Sequence, residues 1–222
     1  MINDFENSLI ENIDNQNDKE KEIISFLLSN GISTEKSKMI TEKLYYKFYN
    51  LYNIVNASKN ELIKIKGLGN KRAELLKSLP KILEYYLLSR LKLSTLHFNK
   101  KDLIDYLIIK FGKLKFEAFS IICLDTNKRF ISIEQIFRGT IDSATIYPND
   151  LVEKSLSLGA SYVIISHNHP SGISKPSKED IEITKILYKA FLIVNIKMID
   201  HLIIAGDSIY SFRESGILDD FN

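Results

Sequence analysis

The sequence predicts an α/β chain of the α+β kind: an all-helical N-terminal part, then a mixed β-sheet flanked by helices. Three observations predict it. From residue 22 to about 93, apolar residues recur at helical spacing between helix stop and start signals. Beyond about residue 100, short β-branched runs alternate with helical stretches. The 222 residues suffice for one large domain or two small ones with separate cores. The expected domains are 1–95 and 100–222, with a boundary near residue 95 and no long-period repeat.

In the first part, Glu22 to Leu28 reads as a helix stopped at Asn30-Gly31. Ser33 opens a second helix through Tyr49, with Ile40, Leu44 and Phe48 on one face. Ser58 caps a third, short helix. Lys66-Gly67-Leu68-Gly69-Asn70 is a turn. Lys71–Leu79 and a stretch from Pro80 to about Leu91 read as two further helices. Tyr45, Tyr46, Phe48, Tyr49 and Tyr52 crowd one helix and its end, which favours packing over base stacking.

In the second part, Lys101 to Phe111 reads as a helix ended by Gly112. Phe116–Leu124 and Arg129–Phe137 flank the turn Asp125-Thr-Asn-Lys128 and form a hairpin candidate. Pro148 opens a helix that Gly159 ends. Ser161–Ser166 is an apolar strand suited to the middle of a sheet. A loop from His167 to Pro176 follows. The helix from Ser177 to about Val194 carries the stripe Ile183, Ile186, Leu187, Ala190, Phe191 and Val194. Strands near Ile196–Ala205 and Ser208–Phe212 meet at Gly206-Asp207.

Composition excludes several classes. A net charge of +2 does not point to nucleic acid globally, although residues 59–92 hold nine basic and three acidic side chains. Residues 1–22 are the reverse, with seven acidic and two basic, and read as a solvated tail. The acidic start lacks the pattern of a secretion signal. No uncharged apolar run nears the ~20 residues that span a bilayer. The expected location is the cytoplasm, without membrane association. The single Cys123 sits in an apolar run, so it reads as a buried hydrophobe and supplies neither an internal disulfide nor a Cys-rich zinc site.

The chemistry concentrates in Ser166-His-Asn-His-Pro-Ser-Gly-Ile-Ser-Lys-Pro-Ser-Lys-Glu-Asp180. In an extended segment, residues i and i+2 face one side, so His167 and His169 converge. Asp180 lies one turn inside the next helix, beside the stripe that faces the sheet. A carboxylate pointing inward needs a cation or several hydrogen bonds. Two imidazoles and a carboxylate match a catalytic zinc, with a fourth position for water whose pKa falls to about 7. Glu134, flanked by apolar residues in the second hairpin strand, is the chosen acid/base; a solvated strand position is its competing reading. Ser177 is placed to donate a hydrogen bond to an oxyanion. Ser177-Lys-Glu-Asp180 is equally a capping box, a purely structural signal. Asp200 and His201 form a pair in which the carboxylate is a candidate for orienting a ligand histidine, against a plain turn or strand-edge pair. His97, near the domain junction, is taken as incidental.

His-x-His, seven residues, then Ser-x-x-Asp is the JAMM (MPN-type) metalloprotease motif, filled here by His167, His169, Ser177 and Asp180. The string Ser-His-Asn-His-Pro-Ser-Gly resembles the bacterial RadC family within that superfamily. So do Phe137-Arg-Gly-Thr140, Tyr147-Pro148, Asp200-His201-Leu202-Ile203 and Ser211-Phe-Arg-Glu-Ser-Gly216. The likeness spans about residues 100–216 and implies a JAMM/MPN-type domain holding one Zn²⁺ per chain. It also implies a strand glutamate, here Glu134, that activates the zinc water, and an oxyanion-supporting Ser177. The implied reaction is hydrolysis of amide or isopeptide bonds in a peptide or protein substrate.

Residues 62–73 resemble a helix-hairpin-helix, within a segment of about 58–80. That module offers backbone N–H groups at a helix start to a phosphate, with Lys66, Lys71 and Arg72 adding charge. Two functions therefore compete: a zinc hydrolase, and a DNA-associated protein whose zinc domain is mainly a scaffold. A two-metal nuclease ranks last, since its carboxylate cluster is missing, and a nucleobase deaminase lacks its Cys-x-x-Cys ligands.

Overall fold

Helix-start and helix-stop chemistry divides the N-terminal part as the residues dictate. The computed structural model describes residues 17–93, 99–139 and 146–221. Helix α1 covers residues 17–28. Helix α2 (Thr34–Phe48) starts at Ser33, whose side chain accepts from Lys36 N. Helices α3 (Leu51–Asn56) and α4 (Lys59–Ile63) start at Asn50 and Ser58, the latter in a full capping box with Glu61. Helix α5 (Gly69–Leu93) follows. Leu28, Leu44, Ile54, Leu62, Leu68 and Leu76 close into one buried core.

Four expectations change here. Residues 17–22, read as part of an acidic tail, are helical. Helix α3 was not anticipated, because six residues are too few to show a period. The two helices expected around Pro80 are one, with the proline inside it. A lost backbone hydrogen bond at Pro80 costs stability, but Leu76 before it and Leu87 and Leu91 after it are each anchored in a core. Last, the crowded aromatic side chains split: Tyr45 and Phe48 pack into the core, whereas Tyr46 is 88% and Tyr49 79% exposed. The acidic residues before 17, the expected boundary near 95 and His97 lie outside the described residues.

The chain divides into two compact units, with the division between Ile82 and Leu83 of α5. The second unit is built on a five-stranded mixed sheet, as the sequence predicts. Its elements are α6 (Lys100–Phe111), β1 (Glu117–Leu124), β2 (Phe130–Gly139), α7 (Pro148–Ser157), β3 (Tyr162–Asn168), α8 (Lys178–Ile193), β4 (Lys197–Ala205) and β5 (Ser208–Ser211). The strand order is β2-β1-β3-β4-β5. Only the β3–β4 pair is parallel, with α8 as the crossover.

Strand alternation sends side chains to two cores. Phe119, Ile121, Cys123, Val163 and Ile165 face α7 and α8, meeting Leu151, Ile183, Leu187 and Phe191. Ala118, Ile122, Leu124 and Ile164 face the other way, onto Leu103, Tyr106 and Phe111 of α6. Cys123 is buried, as its apolar run implies, and burial pushes its thiol pKa up. On α8 the buried stripe is Asp180, Ile183, Thr184, Leu187 and Phe191, while Ile186 is 53% exposed. No helix among the described residues is long and apolar enough to cross a membrane.

A candidate metal centre at the end of strand β3

Strand β3 does not stop at Ser166; it runs on through His167 and Asn168, so the expected loop starts at His169. His167 is buried and pairs across the sheet with Phe119, whose ring stacks on the imidazole at 5.8 Å between centroids. His169 N is held by Ile204 O at 2.8 Å, which ends the β3 side of the ladder. Asp180 occupies the third position of α8 because Ser177 caps that helix. Ser177 N and Oγ both donate to Asp180 Oδ2 at 2.7 Å, and Asp180 N donates back to Ser177 Oγ at 3.0 Å. The capping box and the metal-ligand reading are thus compatible: the box uses Oδ2 and leaves Oδ1 to face His167.

The three expected ligands converge, their ligand atoms lying within 4.8 Å of one another. His167 Nε2 and His169 Nε2 are 3.0 Å apart. Asp180 Oδ1 is 3.0 Å from the first, and Asp180 Oδ2 is 3.3 Å from the second.

The protons on these rings follow from their outer partners. Thr184 Oγ1 bonds to the carbonyl of Asp180, which can only accept, so the threonine hydroxyl donates there. His201 Nδ1, 2.7 Å from Thr184 Oγ1, must then donate to that oxygen. Burial holds the imidazole of His201 well below its ordinary value, so it is neutral and its Nε2 accepts. His167 Nδ1, at 2.8 Å, is the donor to it. On the other ligand, His169 Nδ1 lies 2.7 Å from Ile173 O and donates to it. With Nδ1 carrying the proton, each ligand ring in its neutral form presents a bare Nε2 lone pair to the other ring and to a carboxylate. Acceptors crowded in this way call for a cation. Their donor set, two imidazole nitrogens and one carboxylate oxygen, fits a metal ion with an open position.

A proton is the other way to satisfy the cluster, and its energetics show it. The hydrogen bond to Asp180 holds His169 above the ordinary imidazole value of 6.5, against the opposing effect of burial. Burial pushes Asp180 up, but its hydrogen bonds to His167 and His169 outweigh this and hold it well below the ordinary carboxylate range.

The remaining expected residues stand apart from the cluster. Glu134 on β2 pairs in register with Ile121, which places it on the same sheet face as His167. Its Oε2 lies 3.5 Å from Lys154 Nζ of α7. Asp200 does not orient a ligand histidine through its ring. It points to the α6 side, where it accepts from Ser211 Oγ at 2.7 Å and the N–H groups of His201 and Arg213, with Lys100 Nζ at 3.2 Å. It is His201 that reaches the ligands. Strand alternation was the available signal, since adjacent residues of β4 face opposite sides.

Two residues escape the sequence reading, which singles out His201 beside Asp200 but leaves its role open. One is Thr184, the outer partner just described. The other is Glu117, the first residue of β1 and two residues before Phe119, on the same face. Its carboxylate adds to the charge that raises His169. Asn168, between the two ligand histidines, secures that end of β1. Its Oδ1 accepts from Ala118 N at 2.8 Å and its Nδ2 donates to Phe116 O at 3.0 Å.

A mixed sheet whose central strand delivers two imidazoles to a carboxylate at a helix start defines a metal-competent α/β domain. Residues 98–217 match the family described as RadC-like JAB domain. UPF0758 proteins are similar over most of their length. One from Methylibium petroleiphilum is 34% identical over 198 residues, 89% of each chain. One from Pseudoalteromonas translucida is 33% identical over 197 residues, covering 89% of this chain and 88% of the relative. One from Variovorax paradoxus is 32% identical over 199 residues, 89% and 88%. This chain belongs to the RadC-like JAB domain family.

Proposed function

We propose that the chain is a zinc-dependent hydrolase of amide bonds, of the peptidase or isopeptidase type, acting in the cytoplasm with one zinc ion per chain. The observation that carries this reading is the convergence of two imidazole Nε2 atoms and a carboxylate oxygen, with the Nδ1 atom of each ring engaged by an outer hydrogen bond. His167, His169 and Asp180 Oδ1 would hold the ion. When bound, zinc polarises a carbonyl and lowers the pKa of a water to about 7.

The chain's own residues supply the rest. Ser177 Oγ now donates to Asp180 Oδ2. To support an oxyanion it turns toward substrate, while Ser177 N keeps that oxygen partnered. Two carboxylates compete for the proton-transfer role. Glu134 would first have to leave Lys154. Glu117 already acts on His169 and begins the strand paired with β3. We therefore assign proton transfer to Glu117 in preference to Glu134.

Elemental analysis of purified protein, with and without His169→Ala, is the first test: about one zinc per wild-type chain and loss of it in the variant are expected. Turnover of peptide and isopeptide substrates by zinc-loaded Glu117→Gln and Glu134→Gln then separates the two bases. A wild-type chain that takes up no zinc overturns the proposal.

A second reading, duplex DNA contact through residues 58–80, is supported by the turn before α5. Gly67 and Gly69 both have positive φ there, and Lys66 and Lys71 are exposed. Arg72 is otherwise engaged, donating to Leu28 O at 2.8 Å and Asn30 O at 2.7 Å. Salt-dependent duplex binding by the full chain, weakened by Lys66→Gln and Lys71→Gln, would support it; no salt-sensitive affinity would end it.

A further inference from the structure

We propose that the N-terminal unit carries a site for single-stranded nucleic acid on the outer side of α2, separate from the metal centre and bordering the glycine turn only at Lys66. A groove of about 1370 Å³ lies along this side of the unit, lined from α1, the second half of α2 and residues 64–66. Two kinds of group line it, and each matches one half of a nucleotide.

The first is aromatic. Tyr46 of α2 and Tyr49, the residue that ends this helix, both line the groove. Both are almost bare: Tyr46 is 88% and Tyr49 79% exposed. Neither is needed for the core, which Tyr45 and Phe48 already fill. Tyr49 sits at φ 71°, a left-handed backbone uncommon for a bulky residue, and its N–H closes the helix on Tyr45 O at 2.8 Å. Exposed rings along one groove are stacking platforms for unpaired bases.

The second is cationic. Five lysines line the groove against Asp18 and Glu42. Lys21 is tied to Glu42 at 3.1 Å and Lys47 to Glu61 O at 3.2 Å. Lys43, Lys64 and Lys66 are exposed beside the rings. Three ammonium groups next to two exposed phenol rings complement a phosphodiester strand with splayed bases. A duplex offers phosphates but keeps its base faces stacked inside, so it can use only half of this surface.

The test is fluorescence anisotropy of the full-length protein with a labelled oligothymidylate of about 20 nucleotides. Log affinity should fall against log salt with a slope of about −2, as three phosphate contacts on a single strand require. Tyr46→Ala should weaken binding about tenfold or more, and Tyr46→Phe should restore it. Lys43→Gln with Lys64→Gln should flatten the salt slope. These side chains are exposed, so thermal melting should match wild type and separate lost binding from lost folding. The proposal is overturned by no binding, by an unchanged affinity in Tyr46→Ala, or by equal affinity for a duplex of the same length. Competition by polyglutamate as effective as that by the oligonucleotide would also overturn it, marking a charge-reading site for acidic protein. Zinc uptake is expected to be untouched in every variant, so failure here leaves the hydrolase reading standing.

Discussion

The proton placement at the metal centre rests on a hydroxyl that touches no ligand side chain. Thr184 gives its proton to the Asp180 carbonyl and receives one from His201, which in turn receives one from His167. Replacing Thr184 with Val removes that direction while keeping the shape. Zinc affinity by competition titration should fall about 10- to 100-fold, as for other outer partners of metal-binding imidazoles. The pH dependence follows from the raised His169. His169 is raised, so its proton stabilises the metal-free fold below 6.5, and that contribution is lost as pH rises through the higher folded value. Zinc binding needs the proton gone and therefore gains over the same interval. The rise in melting temperature on adding zinc should grow from pH 6 to pH 8 in wild type and vanish in His169→Ala. The two histidines and the aspartate were legible because their spacing is itself the signal. Thr184, Glu117 and the role of His201 were not, since each is joined to the site by strand pairing or helix packing across distant parts of the chain.

At the scale of elements, helix α8 depends on Ser177 both for its start and for the pose of Asp180. Ser177→Ala should cost about 1 kcal/mol of unfolding free energy in metal-free protein, measured by urea denaturation. Helix α6 is set against the turn between β4 and β5 by an absence of side chain at Gly112. A Cβ there would lie 2.5 Å from Gly206 O and 2.6 Å from Ile108 O. Gly112→Ala should therefore destabilise by about 1–3 kcal/mol, read in the same experiment. Most elements were legible from capping residues and apolar period. Helix α3 was too short to declare a period, and Pro80 looked like a helix start because local rules count its missing hydrogen bond but not the cores that hold Leu76 and Leu91. His167 read as loop because its own type gives no strand signal; its place is fixed by the pairing of β3 with β1 and β4.

For the whole molecule, each unit closes its own core, and the candidate ligands all belong to the second. Zinc at a hundredfold excess over its dissociation constant should stabilise the fold that holds it by about 2.7 kcal/mol. Calorimetry followed with a sheet-sensitive spectroscopic signal would register this as a rise in the sheet's melting temperature, and a chelator should reverse it. The broad division into helices and then a mixed sheet was legible from the change in period near residue 95. Which strand sits centrally was partly so: the apolar run of β3 marks a strand buried on both faces.

Asn168 ties these scales together. Flanked by the two imidazoles, it replaces a missing rung between β3 and β1 with its own amide, gripping the residues on either side of Glu117. The strand that carries the two candidate histidines and the strand that carries the nearby carboxylate are thus fastened together by one side chain. Damage at this asparagine cannot loosen one without displacing the other. On the reading proposed above, in which Glu117 moves the proton and the histidines hold the ion, a change at Asn168 is expected to weaken both together.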